Sequence, residues 1–146
     1  MSTISLLTND DLPTAFLIEQ ASHQYPWSKK IFFSNRGERY LNLKLTVSDQ
    51  IVGFAITQLV LDEATLFNIA IAPQYQQQGL GKKLLSGLIE QLRSRAISTL
   101  WLEVRASNRS AIALYESLGF NEVAVRENYY PTKGGQEDAI IMALYL

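Results

Sequence analysis

The spacing of hydrophobic residues changes along this chain, and each spacing predicts a different element. Within residues 79–95, apolar side chains recur every three or four positions and leave the other face polar, which predicts a helix. Within residues 40–47, apolar and polar side chains alternate, which predicts a strand that leads into a hairpin turn at Asp49-Gln50. Residues 65–71 are nearly all apolar and stop before Pro73, which predicts a strand that is buried on both faces.

The N-terminal segment predicts two helices after a first strand. Thr8 or Asn9 can cap the first helix, and its apolar face is predicted to run from Leu12 to Ala21. A second, short helix is expected to follow Trp27.

The C-terminal third predicts one more helix among strands. A short strand at residues 100–104 is followed by a helix that Ser107 or Asn108 caps, and two strands follow at residues 121–129 and 137–144. The order is therefore strand, helices, three-stranded meander, helix, strand, helix and hairpin. This mixture implies an α/β or α+β mixed sheet with helices packed on its faces.

The composition excludes several classes of function. Among the 146 residues, 13 are Lys or Arg and 14 are Asp or Glu, so the net charge of -1 favours neither nucleic acid nor an acidic membrane as a partner. The absence of cysteine excludes disulfides, thiolate zinc sites, iron-sulfur clusters and a thiol-bound intermediate. No segment has the pattern of a membrane helix, a signal peptide or a linker. We expect one cytoplasmic domain that spans residues 1–146.

The single histidine, His23, also limits the chemistry. Without a second histidine or any cysteine, a metal site or a Ser-His-Asp triad is disfavoured. We expect His23 at the surface or at a helix end, and no metal cofactor.

Residues 76–82 carry the first candidate site, because two glycines lie between a predicted strand and the first turn of a strong helix. The first N–H groups of a helix lack internal partners, so they can bind a phosphate that approaches over glycine. The spacing does not fit a dinucleotide fingerprint, which needs glycine where Leu84 stands, or a Walker loop, which needs Ser or Thr in place of Lys83. For two glycines alone, a plain turn into a helix is the favoured alternative.

Further residues give this loop a context. The pattern Gln76-x-x-Gly79-x-Gly81 follows a predicted strand, and Asn108 and Tyr115 lie on a later helix that ends with Leu118-Gly119-Phe120. This arrangement resembles the acetyl-CoA-dependent GNAT acetyltransferases along essentially the whole chain. The resemblance implies the GNAT fold, a central, mostly antiparallel and splayed sheet with flanking helices.

Four stretches, residues 67–70, 101–105, 108–120 and 128–131, look most like the bacterial GNAT enzymes that acetylate a ribosomal-protein alanine. The resemblance implies a peptide α-N-acetyltransferase whose substrate is the N-terminal alanine of the eighteenth protein of the small ribosomal subunit. Two alternatives stay open: a lysine or small-amine acetyltransferase of the same fold, and a ribosome-associated module that binds CoA without catalysis.

The resemblance also implies the acetyl-CoA contacts. The loop backbone would hold the diphosphate, one strand edge would pair with the pantetheine amides, and the asparagine would touch the pantetheine arm. The residues so implied are Ile69, Ala70, Ile71, Gln77, Gln78, Gly79, Leu80, Gly81, Lys82 and Asn108. Many relatives have arginine in this loop where this chain has glutamines, so Lys82 or Lys83 is expected to assist. Asn108 has a simpler alternative role as a helix N-cap.

Two residues are candidates for the catalytic steps. Glu103 is predicted to accept the proton of the attacking amine, directly or through water, and Tyr115 to protonate the departing thiolate. A backbone N–H near Ile69 would polarise the thioester carbonyl. The alternatives are that Glu103 is a surface carboxylate paired with Arg105, and that Tyr115 is a packing residue of an amphipathic helix.

The substrate pocket is assigned to aromatic residues. Tyr129 and Tyr130 precede a glycine-containing loop, and Trp27 lies between the two N-terminal helices. Relatives of this type use such a loop to position the peptide N-terminus. The alternative for all three residues is aromatic core packing.

Overall fold

The computed structural model describes residues 1–146 and is built on one seven-stranded sheet. Neighbouring strands follow the order β1-β2-β3-β4-β5-β7-β6, and all pairs are antiparallel except β4 with β5. The strands are β1 (Ser2–Leu6), β2 (Leu43–Val47), β3 (Gln50–Val60), β4 (Glu63–Ile71), β5 (Thr99–Arg105), β6 (Asn121–Thr132) and β7 (Gly135–Tyr145). This is the mixed, mostly antiparallel sheet that the sequence predicts.

Four α-helices accompany the sheet: α1 (Leu12–Ser22), α2 (Lys29–Ser34), α3 (Leu80–Ser94) and α4 (Arg109–Ser117). The helix predicted over 79–95 is confirmed as α3, whose buried leucines and isoleucine belong to the larger of two core clusters. The smaller cluster packs α1 and α2 against other residues of β3 and β4. None of these helices combines the length and the apolar character needed to cross a membrane.

Three details of the prediction are wrong. The apolar face of α1 does not extend to Ala21, which is exposed, whereas Glu19 is buried on that helix. Strand β4 is not buried on both faces, because Phe67 is 40% exposed. The meander itself is confirmed, but its first turn lies at Ser48 and Asp49, one residue earlier than predicted, because these two residues have the positive φ that a tight hairpin requires.

The parallel pair separates partway along its length. Strand β4 pairs with β5 only from Glu63 to Leu66, opposite Thr99 to Leu102. Beyond that point β4 continues to Ile71 with β3 alone, while β5 continues to Arg105 with β7 alone. The splayed sheet is thereby confirmed, and the gap between the two strands holds the candidate site.

Candidate active site

The edge of β4 that faces the gap presents backbone groups from alternate residues. The N–H of Ala72 donates to the carbonyl oxygen of Val52 on β3, at 2.7 Å. Because backbone groups alternate between the two edges of a strand, those of Ala70 also face β3, whereas those of Ile69 and Ile71 face the gap. The carbonyl of Ile71 already accepts hydrogen bonds from Ser22 Oγ at 3.0 Å and from a glutamine amide at 2.9 Å. The proposed main-chain pairing with pantetheine therefore falls to Ile69 and to the N–H of Ile71, and Ala70 has no main-chain group for it.

The glycine loop is shaped for an anion at the start of α3. Gln77 and Gly79 have φ of 62° and 78°, and a Cβ built on Gly79 would meet no atom within 4 Å. The N–H of Lys83 is the first to bond within the helix, to the carbonyl of Gly79 at 3.1 Å, so the N–H groups of residues 80–82 have no helical acceptor. The backbone thus offers donors and open space where the diphosphate is predicted.

The two lysines of the loop differ in their availability. The ammonium group of Lys83 donates to the carbonyl oxygen of Ser2 at 3.2 Å and contacts the hydroxyl of the same residue, so it is tied to β1. Lys82 is exposed. The expected assistance to the diphosphate is therefore left to Lys82.

Asn108 is the N-cap of α4, as one of its two predicted roles requires. Its Oδ1 accepts the N–H of Ala111 and the hydroxyl of Ser110, both at 3.3 Å. The cap uses the oxygen of the amide, which leaves the amide nitrogen for the predicted cofactor contact.

Glu103 lies on β5 just beyond the point where β4 diverges, and its side chain is 32% exposed. Nη1 of Arg126 on β6 donates to Glu103 Oε1 at 3.2 Å. The alternative pairing with Arg105 is wrong, because that guanidinium binds Glu137 instead, at 3.0 Å. Glu103 thus lies on β5 next to the gap, is paired with one partly exposed cation and stays partly exposed to solvent.

Tyr115 projects from α4 into the larger core cluster and is only 6% exposed. Its ring packs against Phe120, with the ring centroids 5.6 Å apart. Burial, together with the neighbouring Tyr130, raises the pKa of Tyr115 to about 12. The packing role is real, and the raised pKa keeps the buried hydroxyl protonated.

The tyrosine pair lies beside Glu103 through Arg126. The ring of Tyr129 stands edge-on to that of Tyr130, with 5.0 Å between centroids, and Arg126, which binds Glu103, lies 4.0 Å over the Tyr129 ring. Burial raises the pKa of Tyr130 to about 12, and the negative charge of Glu103 contributes in the same direction.

An irregularity in β6 sets the direction of these tyrosines. The register with β7 shifts between Arg126 and Tyr130, and Asn128 has a φ of 52°. The N–H of Asn128 donates to Asp138 Oδ1 at 3.0 Å, which fixes the bulge. Both tyrosines lie within β6, since the hairpin turn follows at residues 133–134. A bulge that turns side chains beside an active site is a recurrent device of sheets.

The model of the acetyltransferase (GNAT) family matches residues 3–120 of this chain. The chain belongs to the GNAT acetyltransferase family. It is 66% identical over 144 residues to the ribosomal protein bS18 alanine N-acetyltransferase of Salmonella typhimurium, with 99% of this chain and 97% of that protein covered. Among solved structures, the ribosomal-protein-S18-alanine N-acetyltransferase from Escherichia coli superposes with a TM-score of 0.97 at 65% identity, covering 99% of this chain and 94% of that one.

The fold extends to distant acetyltransferases. Arabidopsis thaliana NAA60 in complex with a bisubstrate analogue superposes with a TM-score of 0.88 at 16% identity, and 100% of this chain and 99% of that chain are covered. At that identity the likeness concerns the GNAT fold alone.

Trp27, a predicted substrate-pocket residue, is bound to a buried carboxylate. Its backbone N–H donates to Glu19 Oε2 at 2.8 Å, and its ring packs near Phe32, with 6.3 Å between centroids. Packing is therefore part of its role, as the alternative supposed. The other oxygen of Glu19 accepts the Asn68 amide at 2.7 Å, and Asn68 Oδ1 lies 2.9 Å from Nε2 of His23. His23 is the C-cap of α1, which confirms the expected helix-end position, and it is only partly exposed.

Sequence reasoning missed the contacts of Glu19, Asn68 and Arg126, and it gave Arg105 the wrong partner. For Glu19 a signal exists, because a carboxylate among the apolar residues of a predicted helix needs partners when it is buried. No local pattern marks the contacts of the two arginines. Arg105 on β5 binds Glu137 on β7, and Arg126 on β6 binds Glu103 on β5, so strand pairing brings each pair together.

Proposed function

We propose that this chain transfers the acetyl group of acetyl-CoA directly to the N-terminal alanine of ribosomal protein bS18. The identity of 66% along 144 residues with a protein of that named activity is the observation that carries the proposal. The site supports it, because β4 past Leu66 has backbone groups without a strand partner, Glu103 on β5 is a partly exposed carboxylate, and Tyr115 on α4 is a buried phenol.

The chemistry of an N-terminal amine suits these groups. Its pKa is about 8, so about a tenth of it is the nucleophilic free base at neutral pH, whereas a lysine amine is scarcer by about two orders of magnitude. Glu103 accepts the proton that the amine loses when its nitrogen attacks the thioester carbonyl, directly or through water. Arg126, 3.2 Å away, orients that carboxylate.

Tyr115 completes the transfer. As the carbon-sulfur bond breaks, its hydroxyl gives a proton to the sulfur, and the amide product carries the acetyl group. The raised pKa of Tyr115, about 12, keeps the hydroxyl protonated at the pH of the reaction. The N–H groups of β4 that face the gap stabilise charge on the carbonyl oxygen. No group is passed through the enzyme, which has no cysteine.

Acetyl-CoA fits the residues that are present. The loop before α3 offers three N–H groups without helical acceptors and open space over Gly79, and the edge of β4 offers Ile69. When bound, this co-substrate supplies an activated acetyl group. The reaction is assigned to the cytoplasm because its substrate is a ribosomal protein.

The experiment that tests the function measures CoA release with two versions of one short basic peptide that begins with alanine. In the first the N-terminus is free and the lysines are blocked, and in the second the blocking is reversed. Turnover only with the first peptide supports the proposal. Turnover only with the second makes the chain a lysine acetyltransferase, and silence with both despite acetyl-CoA binding favours a module that does not catalyse.

A further inference from the structure

The guanidinium of Arg105 is held between two aromatic rings from different parts of the fold. Its central carbon lies 4.1 Å from the ring centroid of Tyr25 and 4.4 Å from that of Tyr130. Tyr25 belongs to the connection between α1 and α2, residues 23–28, whereas Tyr130 lies on β6. Arg105 itself ends β5, two residues after Glu103. One side chain thus joins the α1–α2 connection to the hairpin formed by β6 and β7.

Hydrogen bonds fix the plane of this guanidinium. Its Nη1 donates to the carbonyl oxygen of Pro131 and to Glu137 Oε1, both at 3.0 Å. Hydrogen bonds from Ser107 and from Arg105 hold the pKa of Glu137 below its usual value, so the carboxylate partner stays ionised. The side chain of Arg105 is only 21% exposed. Stacking on both faces together with in-plane hydrogen bonds is a geometry that arginine allows and lysine does not.

We propose that Arg105 is a positioning residue that fastens the α1–α2 connection to the β6–β7 hairpin and so sets the walls that receive the peptide N-terminus. The inference rests on the proposed peptide acetylation. Arg105 and the two rings that it contacts, Tyr25 and Tyr130, are called the clamp below. The charge of Glu103 raises the pKa of Tyr130, and Tyr130 in turn raises the pKa of Tyr115. The Arg105 side chain contacts no residue of the loop before α3, so we expect its loss to weaken the peptide's binding and not the loop's hold on acetyl-CoA.

The kinetic test compares Arg105→Lys with the wild type. This variant keeps the charge and loses the double stack, so we expect KM for the alanine peptide to rise roughly tenfold, as the loss of desolvated cation–π contacts implies. The dissociation constant of acetyl-CoA should stay unchanged. An unchanged KM, or an equal loss of acetyl-CoA affinity, would overturn the proposal. Arg95→Lys, at an exposed residue after α3, is the matched control.

A second partner shows whether the effect travels through the stack. Tyr25→Leu removes one ring, and we expect it to raise KM for the peptide as Arg105→Lys does. The double variant Arg105→Lys/Tyr25→Leu should be no worse than the more affected single variant, because both changes break one coupled unit. Additive effects would overturn the clamp as the cause.

Hydrogen exchange separates a failure of the clamp from a failure of the proposed function, since it needs no substrate. In Arg105→Lys and Tyr25→Leu the amides of residues 23–28 should exchange faster than in the wild type, while those of α3 keep their protection. Tyr25→Phe, which retains the ring, should keep the protection of residues 23–28. Unchanged exchange in Arg105→Lys would overturn the clamp whatever peptide the wild type acetylates.

Discussion

Glu19 is the one carboxylic acid among the buried side chains, and it is 1% exposed. It accepts two hydrogen bonds, from the Asn68 amide at 2.7 Å and from the Trp27 backbone N–H at 2.8 Å, and Nε2 of His23 lies 3.4 Å from the oxygen that Asn68 binds. In Glu19→Ala both donors lose their acceptor, and Asn68 is itself buried at 9% exposure. We therefore expect a large loss of stability from this single change.

The magnitude follows from the two donors. A buried donor left without an acceptor costs about 1–3 kcal/mol, so two cost about 2–6 kcal/mol. Removing the carboxylate also removes the cost of burying its charge, which places the expected loss in the lower half of that range, about 2–4 kcal/mol. Glu19→Gln retains an oxygen acceptor for one donor, and its loss should be about 1–2 kcal/mol.

Urea unfolding followed by tryptophan fluorescence measures the difference. With a slope of about 1–3 kcal/mol per molar urea, a loss of about 3 kcal/mol lowers the midpoint by at least about 1 M. Glu90→Ala, at an exposed position of α3, is the matched control and should change stability by less than about 0.5 kcal/mol. If Glu19→Ala were as stable as that control, or Glu19→Gln as damaging as Glu19→Ala, the accounting of the two donors would be refuted.

Three further changes test the site and the strand beside it. Tyr115→Phe keeps the ring and removes the hydroxyl, so turnover should fall about 10²–10⁴-fold with little change in acetyl-CoA affinity, and an equal loss of both would contradict the general-acid role. Glu103→Gln should lower the rate most at low pH, where free amine is scarcest, and an unchanged pH-rate profile would count against the base. Gly53→Ala places a Cβ 2.6 Å from Ile71 Cδ1 and 2.9 Å from the Ala70 carbonyl oxygen. That change should lower the free energy of unfolding in urea by about 1–3 kcal/mol and weaken acetyl-CoA binding. If neither the stability nor the affinity fell, β4 would accommodate the added methyl group without strain, which would contradict the prediction.

Elements whose signals are local could be predicted from the sequence. Helix α3 follows from its own apolar spacing, and α4 from the Asn108 cap and the left-handed Gly119 that follows it, with a φ of 101°. Local periodicity is sufficient for these two helices because each is set by residues close to it in the chain. The residues implied for the cofactor come from the resemblance instead and stay a prediction. They lie at the end of β4, in the loop and first turn of α3, and at the N-cap of α4.

The surroundings of Glu103 could not be predicted, because they depend on long-range strand order. Strand β7 lies between β5 and β6, so Arg126 reaches Glu103 across a strand that follows both in the sequence. The bulge at Asn128 is equally hidden, since almost all of β6 is exposed and its residue types show no period that a shift would break. The sequence proposes Arg105 as the partner of Glu103 only because the two residues are neighbours in the chain.

The divergence of β4 from β5 links the fold to the proposed chemistry. Past Leu66 the gap-facing backbone groups of β4 have no strand partner, and unpaired backbone groups are costly unless water or another donor or acceptor meets them. The fold satisfies one of these groups itself, because Ser22 from α1 occupies the carbonyl of Ile71. The groups of Ile69 are those that the proposed function assigns to the amides of acetyl-CoA. Glu103 lies on β5 beyond the same point, opposite no residue of β4, and its side chain is 32% exposed. One interruption of pairing therefore accounts for both the free edge proposed for the acetyl donor and the opening beside the proposed base.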